Sequence, residues 1–228
     1  SEEIVELASG LDRDIGNLWF VGEPVSVYYE FEKIGIWQLG EEEEAAKLNQ
    51  SPGDVKVRTA SDTTISFDDR QIYNRRPKWY GSMTNTLNYK GFDFSFNIYA
   101  RWGHWISSSA FGFDPRMYDN QLAVDYWTPE NPTNEYPRVN AELAAVDFNN
   151  SLMLRDGSFI KVQYITLGYT LPQSWISPLL LSQARVYASA RNPLILHSNL
   201  PEGMDPERGG GFSWPLSRLV VFGINLQF

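Results

Sequence analysis

The hydrophobic pattern of this chain has a period of two, the signature of strands with one apolar and one polar face. Its clearest stretch is Phe92–Trp102. Phe92, Phe94, Phe96, Ile98, Ala100 and Trp102 fall on one face, and Asp93, Ser95, Asn97, Tyr99 and Arg101 on the other. The preceding run, Trp79–Tyr89, sets Trp79, Met83, Leu87 and Tyr89 against Tyr80, Ser82, Thr84, Thr86 and Asn88. Lys90-Gly91 joins the two as a tight hairpin. In Phe159–Leu171 the apolar set moves from Ile160, Val162 and Tyr164 to Ile165, Leu167, Tyr169 and Leu171, a one-residue slip that predicts a β-bulge. Ala184–Asn192, Arg218–Phe228 and Val25–Phe31 alternate in the same way. Six strands are expected, with Ile4–Leu7 a short additional candidate, and the one helical pattern is the acidic segment Glu41–Leu48.

Connector lengths are uneven. The hairpin at residues 89–91 is tight and residues 172–183 make a moderate turn, whereas residues 39–76, 104–157 and 195–216 are long and rich in Gly, Pro, Asn and Asp. Such loops are uncommon in compact soluble domains and normal in outer-membrane β-barrels. Alternation alone suits both a soluble β-sandwich, with the apolar faces as its core, and a barrel, with those faces on lipid. Several runs span 11 or more residues, close to the roughly 9–11 of a tilted membrane strand and longer than the roughly 5–6 usual in globular proteins. Aromatic residues sit near strand ends (Trp79, Tyr89, Phe92, Trp102, Phe159, Tyr169, Phe228), where an interfacial girdle would lie.

Composition narrows the classes. Of 228 residues, 43% are hydrophobic and 14% aromatic, and no apolar stretch is long enough for a membrane helix. Cysteine is absent and histidine occurs twice, so disulfides, thiolate metal sites, a thiol nucleophile and a His-rich metal site are excluded. The net charge of −9 argues against nucleic acid as a partner. The acidity is concentrated early: residues 1–72 hold 16 acidic and 6 basic side chains. Ser1–Glu6 lacks an apolar leader region, so either a signal was removed or these residues continue a longer polypeptide.

The connectors carry a family likeness. Lys33-Ile34-Gly35-Ile36-Trp37-Gln38, Pro52-Gly53-Asp54-Val55-Lys56, Asn88-Tyr89-Lys90-Gly91-Phe92-Asp93 and Tyr126-Trp127-Thr128-Pro129-Glu130-Asn131-Pro132 followed by Tyr136-Pro137-Arg138 are four of these segments. Asp156-Gly157-Ser158-Phe159-Ile160-Lys161, Ile165-Thr166-Leu167-Gly168-Tyr169-Thr170-Leu171-Pro172, Arg185-Val186-Tyr187-Ala188-Ser189-Ala190-Arg191-Asn192-Pro193 and the terminal Gly223-Ile224-Asn225-Leu226-Gln227-Phe228 complete the set. In order and spacing, over residues 20–228, the chain resembles the C-terminal part of SusC/RagA-type TonB-linked outer-membrane proteins. The resemblance implies an all-β, antiparallel transmembrane barrel of roughly 22 strands, of which residues 1–228 would supply six or seven strands and long extracellular loops. An N-terminal plug lies outside these residues. It further implies import of glycans or peptides across the outer membrane of a Bacteroidetes-type bacterium, energy from the TonB system, and a SusD-like surface lipoprotein as lid. Other implied partners are the remainder of the barrel, the outer-membrane assembly machinery, lipid and lipopolysaccharide. Six or seven strands cannot close a barrel, and open edges cannot face lipid, so further strands are required.

Site expectations follow from both lines. Asp93, Asn97, Tyr99 and Arg101 are expected to face the lumen. Trp102, His104, Trp105, Phe111, Phe113, Tyr118 and Trp127 concentrate rings in one loop, suited to sugar faces or peptide side chains near ligand or lid, although each ring can equally pack its own loop. Phe222, Ile224, Leu226 and Phe228 resemble the terminal signal read during barrel assembly. Residues 58–69 stand where family members often carry an Asp-x-Asn-x-Asp-Gly calcium loop. Here Arg58, Ala60, Asp62, Thr63 and Asp69 replace that pattern, so no metal is expected. Glu41–Glu44 reads as a solvated face, and Asp68-Asp69 point opposite ways in an extended segment, so neither makes a catalytic pair. No enzyme activity and no cofactor are expected. The alternatives are a structural barrel subunit of a larger outer-membrane assembly, and a soluble carbohydrate-binding β-sandwich.

Overall fold

The computed structural model describes residues 2–211, 214 and 216–228. The chain folds as two compact units: one comprises the stretch up to Arg76, His104–Asp156 and the residues from Gly209; the other comprises Pro77–Gly103, Gly157–Arg208 and the terminal stretch to Phe228.

The second unit is one antiparallel sheet of five long strands: β1 (Trp79–Tyr89), β2 (Phe92–Trp102), β3 (Phe159–Thr170), β4 (Gln183–Ser198) and β5 (Leu219–Gln227). Their spatial order is β5-β4-β3-β2-β1. The β1–β2 hairpin turns on Lys90 and Gly91, both at positive φ (47° and 86°), as a two-residue turn matched to strand twist requires. Register puts the alternating apolar positions of neighbouring strands on one face. Met83 pairs with Ile98 and Leu87 with Phe94; Ile165 pairs with Phe96 and Leu167 with Phe94; Ala188 pairs with Phe222 and Val186 with Ile224. The expected bulge is present: pairing skips from Val162 to Tyr164 against both neighbours, so Gln163 is the extra residue and the apolar face continues without inversion. Opposite it the pairing also skips Asn192-Pro193, the point at which the sequence pattern ends the strand. The structure instead carries β4 on to Ser198, because a proline without an N–H is tolerated at a bulge.

The apolar face is exposed. Trp79, Met83, Leu87, Tyr89, Phe92, Leu167, Val220, Phe222, Ile224 and Leu226 all retain half or more of their surface, and Phe222 retains 80%. A β-sandwich buries such side chains against a second sheet, and among the described residues no second sheet covers this face. Aromatic rows border the face at both ends. At one end Trp79 stacks on Trp102 at 6.2 Å and Trp102 on His197 at 5.4 Å. At the other, Tyr89 pairs with Phe92, whose ring lies 4.4 Å from Tyr169. The ten residue-to-residue steps from Phe92 to Trp102 span about 34 Å, and a strand tilt of about 40° leaves about 26 Å between the rows, the height of an outer-membrane apolar band. Five strands rather than six or seven make this wall, and the outer edges of β1 and β5 have no strand partner among the described residues.

The first unit contains what the sequence reading treats as long loops, and here the structure differs. These segments fold on a core of their own. Val27–Phe31, expected as a wall strand, is five residues long and pairs with Arg70–Asn74. Lys33–Ile36 pairs with Val55–Val57, and Trp105–Ser107 with Leu154–Asp156. Ile4–Leu7 is not a strand. The expected helix spans Glu42–Lys47; its glutamates Glu42 to Glu44 face solvent while Ala45 and Leu48 bury against Trp37.

Candidate functional site

The polar face of the sheet is a hydrogen-bonded surface in its own right. Asn97 donates to Thr84 Oγ1 at 2.9 Å, Thr166 and Ser189 share a bond of 2.9 Å, and Arg101 donates to the Tyr99 hydroxyl at 3.3 Å. Asp93, Asn97, Tyr99 and Arg101 thus share one face, as their alternation predicts. Asp93 on β2 accepts Nε of Arg185 on β4 at 2.8 Å and is ion-paired with its other guanidinium nitrogen, so this bridge passes over the intervening strand β3. Gly168 lies beneath it: a Cβ there would run into the Arg185 guanidinium and the Asp93 carboxylate. Gly223 plays the same part for Tyr187, whose ring lies over it. Sequence reasoning passed over Arg185, Tyr187 and both glycines, although their parity puts them on the polar face. Gly168→Ala is expected to break the bridge and cost about 1–3 kcal/mol. Asp93→Ala should cost a similar amount and add little on top of it, because both remove one interaction. Thermal unfolding of the two single variants and the double variant in detergent checks this.

Further along that face Lys161, its side chain 3% exposed, forms an ion pair with Glu207, and Asp205 accepts the N–H groups of Glu207 and Leu216 at 3.0 and 2.9 Å. The loop after β4 is thereby pinned beside a cavity of about 290 Å³ lined by Lys161, Asn192, Asp205 and Arg218.

In the first unit, the aromatic loop divides into interior and surface residues. Phe113 and Trp127 are core residues, 2% and 6% exposed, packed with Ile36, Val55, Val57, Tyr136 and Leu152. Trp127 Nε1 donates to Gln38 Oε1 at 2.9 Å, and its ring covers Gly53. Phe111 is 1% exposed under the Arg155 guanidinium, and His104 is 4% exposed. Trp105 is half-buried, edge-on to Tyr73 at 4.7 Å. Burial pushes the Tyr73 phenol up to about 12, so it stays neutral. Trp102, at the end of β2, is half-buried in its aromatic row. Of the seven, Tyr118 alone is largely exposed, at 83%, on a turn closed by Asp114, which accepts N–H and Nε of Arg116. Phe111, Phe113, Trp127 and His104 therefore hold the loop, and Tyr118 is the ring it presents.

In the segment 58–69 the Asp69 carboxylate serves as an internal clasp. Asp69 accepts N–H from Ser66 at 2.7 Å and from Ala60 at 2.8 Å, and the Thr59 hydroxyl at 3.3 Å. Arg58 pairs with Glu32, and Asp68 with Arg13. Glu41 is not merely solvated: it accepts Nζ of Lys56 at 2.6 Å, and that ammonium sits 4.1 Å above the Trp37 ring. The Ser66 and Ala60 amides hold the Asp69 carboxyl below its ordinary range. A depressed folded pKa stabilises above the unfolded value of about 4, and this contribution is lost as pH falls through the lowered folded value. Asp69→Asn is expected to cost about 1 kcal/mol near neutrality, and the gap to wild type should close in acid; melting curves of both proteins down to about pH 3 check it.

No family model matches the chain. A TonB-dependent receptor of Formosa agariphila, P26, is 30% identical over 235 residues, covering 91% of this chain and 23% of the receptor. The TonB-dependent receptor SusC of Bacteroides thetaiotaomicron is 27% identical over 72% of this chain and 17% of its own length. Over most of its length the chain is similar to TonB-dependent receptors, SusC among them. A solved structure of the RagAB peptide transporter superposes with a TM-score of 0.70 over 99% of this chain and 26% of that one, at 25% identity. The RagAB peptide importer in its open-open state gives 0.71 at 23% identity, a likeness of fold. The chain spans less than a quarter of the length of these curated relatives. Beside those structures, the five antiparallel strands match in fold a section of the transporter chain.

Proposed function

We propose that residues 1–228 form C-terminal strands and external loops of a TonB-dependent outer-membrane importer of the SusC/RagA type. Its cargo is a glycan or peptide, captured together with a SusD-like surface lipoprotein. The observation that carries this reading is the two-faced sheet: an exposed apolar face between two aromatic rows, backed by a hydrogen-bonded polar face. On this reading the apolar face meets lipid and lipopolysaccharide, the edges of β1 and β5 pair with the rest of the barrel, and the tight Lys90-Gly91 hairpin is periplasmic. The polar face, with Asp93, Asn97, Tyr99 and Arg101, lines the lumen around a plug that contacts TonB. The first unit is extracellular and offers Tyr118, with half-buried Trp105, to cargo or lid; Trp102, at the end of β2, is the candidate that the sheet itself supplies. Phe222, Ile224, Leu226 and Phe228 offer the assembly machinery an exposed apolar strand. The work is selective passage without covalent chemistry.

Affinity purification from detergent-solubilised outer membranes tests it. A SusD-like lipoprotein should co-elute, and deletion of the receptor should abolish uptake of the cargo that the lipoprotein binds. A receptor that assembles with partners while uptake is unaffected by its loss would be a structural barrel instead, and a detergent-free soluble protein would exclude both.

A further inference from the structure

We infer that the turn between β3 and β4 is an interfacial anchor that sinks into the headgroup–acyl boundary of the membrane. The inference rests on the membrane reading of the sheet. After Thr170 the chain passes Pro172 into a helical turn, Gln173–Ile176, and a 3₁₀ turn, Ser177–Leu179. Ile176 and Leu181, 2% and 8% exposed, bury against Ala184 and Leu171. Ala184 pairs with Leu226, and Leu171, bonded through its N–H to the Ala184 carbonyl at 2.9 Å, continues the row of Ile165, Leu167 and Tyr169. Both therefore belong to the apolar face, and the turn bends over that face.

Its start is fixed at the aromatic row: Thr170 N–H donates to the Gly91 carbonyl at 2.8 Å, beside Phe92 and Tyr169. Aromatic rows mark the membrane–water interface, so the turn lies at that depth.

What the turn presents outward is apolar. Trp175, Leu179 and Leu180 are 64%, 66% and 87% exposed. None of residues 171–184 is charged, in a chain that is 21% charged overall. Leu180 is also left-handed, at φ 57°, a conformation where water-facing turns favour glycine or asparagine. A bulky aliphatic side chain at a strained, fully outward position is out of place in water and fits the acyl boundary, and tryptophan beside it prefers the headgroup level. The partner this surface fits is a phospholipid interface, continuous with the lipid-facing wall.

The test uses the receptor in lipid nanodiscs with one nitroxide label at a time. This chain contributes no cysteine to compete for labelling. Trp175→Cys and Leu180→Cys are compared with Phe94→Cys on the wall and Glu202→Cys in the loop after β4. Collision with oxygen reports lipid, and collision with a water-soluble nickel chelate reports solvent. The expected oxygen-to-nickel ratio at positions 175 and 180 is several-fold above that at 202. A ratio equal to that at 202, or protection from both reagents as under a covering protein, overturns the anchor. A water-like ratio at Phe94→Cys as well would instead sink the membrane reading on which the anchor rests.

Discussion

Arginine in place of Phe96 is expected to destabilise the receptor by about 2–4 kcal/mol, the cost of a cation near the middle of the lipid-facing surface of a barrel. Phe96 lies four residues from the Phe92 row and six from Trp102, its ring 5.5 Å from that of Phe94, opposite Asn85 and Ile165. At that depth an arginine side chain is least able to reach either headgroup region. The neighbouring change, Ser95→Arg, adds the same charge on the polar face, beside Thr86 and Thr166. There water and hydroxyls solvate it, and it should cost less than about 1 kcal/mol. Urea titration of each variant refolding into lipid vesicles measures both. Equal costs would mean that the two faces see the same solvent.

Gly53→Ala is the second large effect, expected at about 2–5 kcal/mol. Gly53 sits at φ 89°, where any Cβ is strained by about 1–2 kcal/mol. The added methyl would also lie 2.7 Å from the Trp127 ring and 2.8 Å from the Arg138 Cβ, and overpacking of this kind costs about 1–3 kcal/mol more. Neither neighbour can yield easily. Trp127 is tied to Gln38 and packed in the core, and Arg138 is held through its N–H on the Gly53 carbonyl at 2.8 Å and through Nε on Asp54 at 3.1 Å. Hydrogen exchange should show Val55–Val57 and the segment around Trp127 opening together, with β2 and β3 protected as in wild type. If the strands of the wall loosen equally, the core around Trp127 is not a separate cooperative unit.

The five wall strands were legible in the sequence because a single periodic rule governs them. Even the bulge at Gln163 shows as a phase slip of the apolar residues. Val25–Phe31 obeys the same rule yet is no wall strand, since alternation reports a one-sided surface and not which sheet contains it; its length was the distinguishing sign. The strand break expected at Asn192-Pro193 failed because a proline signal for a turn and for a bulge are the same residue. The aromatic loop was legible as a concentration of rings but not as a burial pattern. Phe113 and Trp127 are interior only because residues 36, 55, 57 and 152, far away in sequence, converge on them. The Asp93–Arg185 bridge joins residues on non-adjacent strands, so no local spacing encodes it. At the calcium-loop position the departures from the pattern are visible residue by residue, Arg58 and Ala60 supplying no carboxylate, whereas the use of Asp69 as an internal clasp depends on the turn that brings it back to Ser66 and Ala60.

Gly168 and Gly223 have a further consequence for the proposed passage. They are recesses in the wall, and Arg185 and Tyr187 lie down in them across neighbouring strands instead of standing up into the space beyond. The two longest side chains of that stretch thus take up little clearance. The charge on Arg185 is already answered by Asp93, so neither group stands free on that stretch of the face. On the proposed reading, this stretch of the polar face would offer a passing cargo little to bind, and selectivity would rest with the loops and the lid.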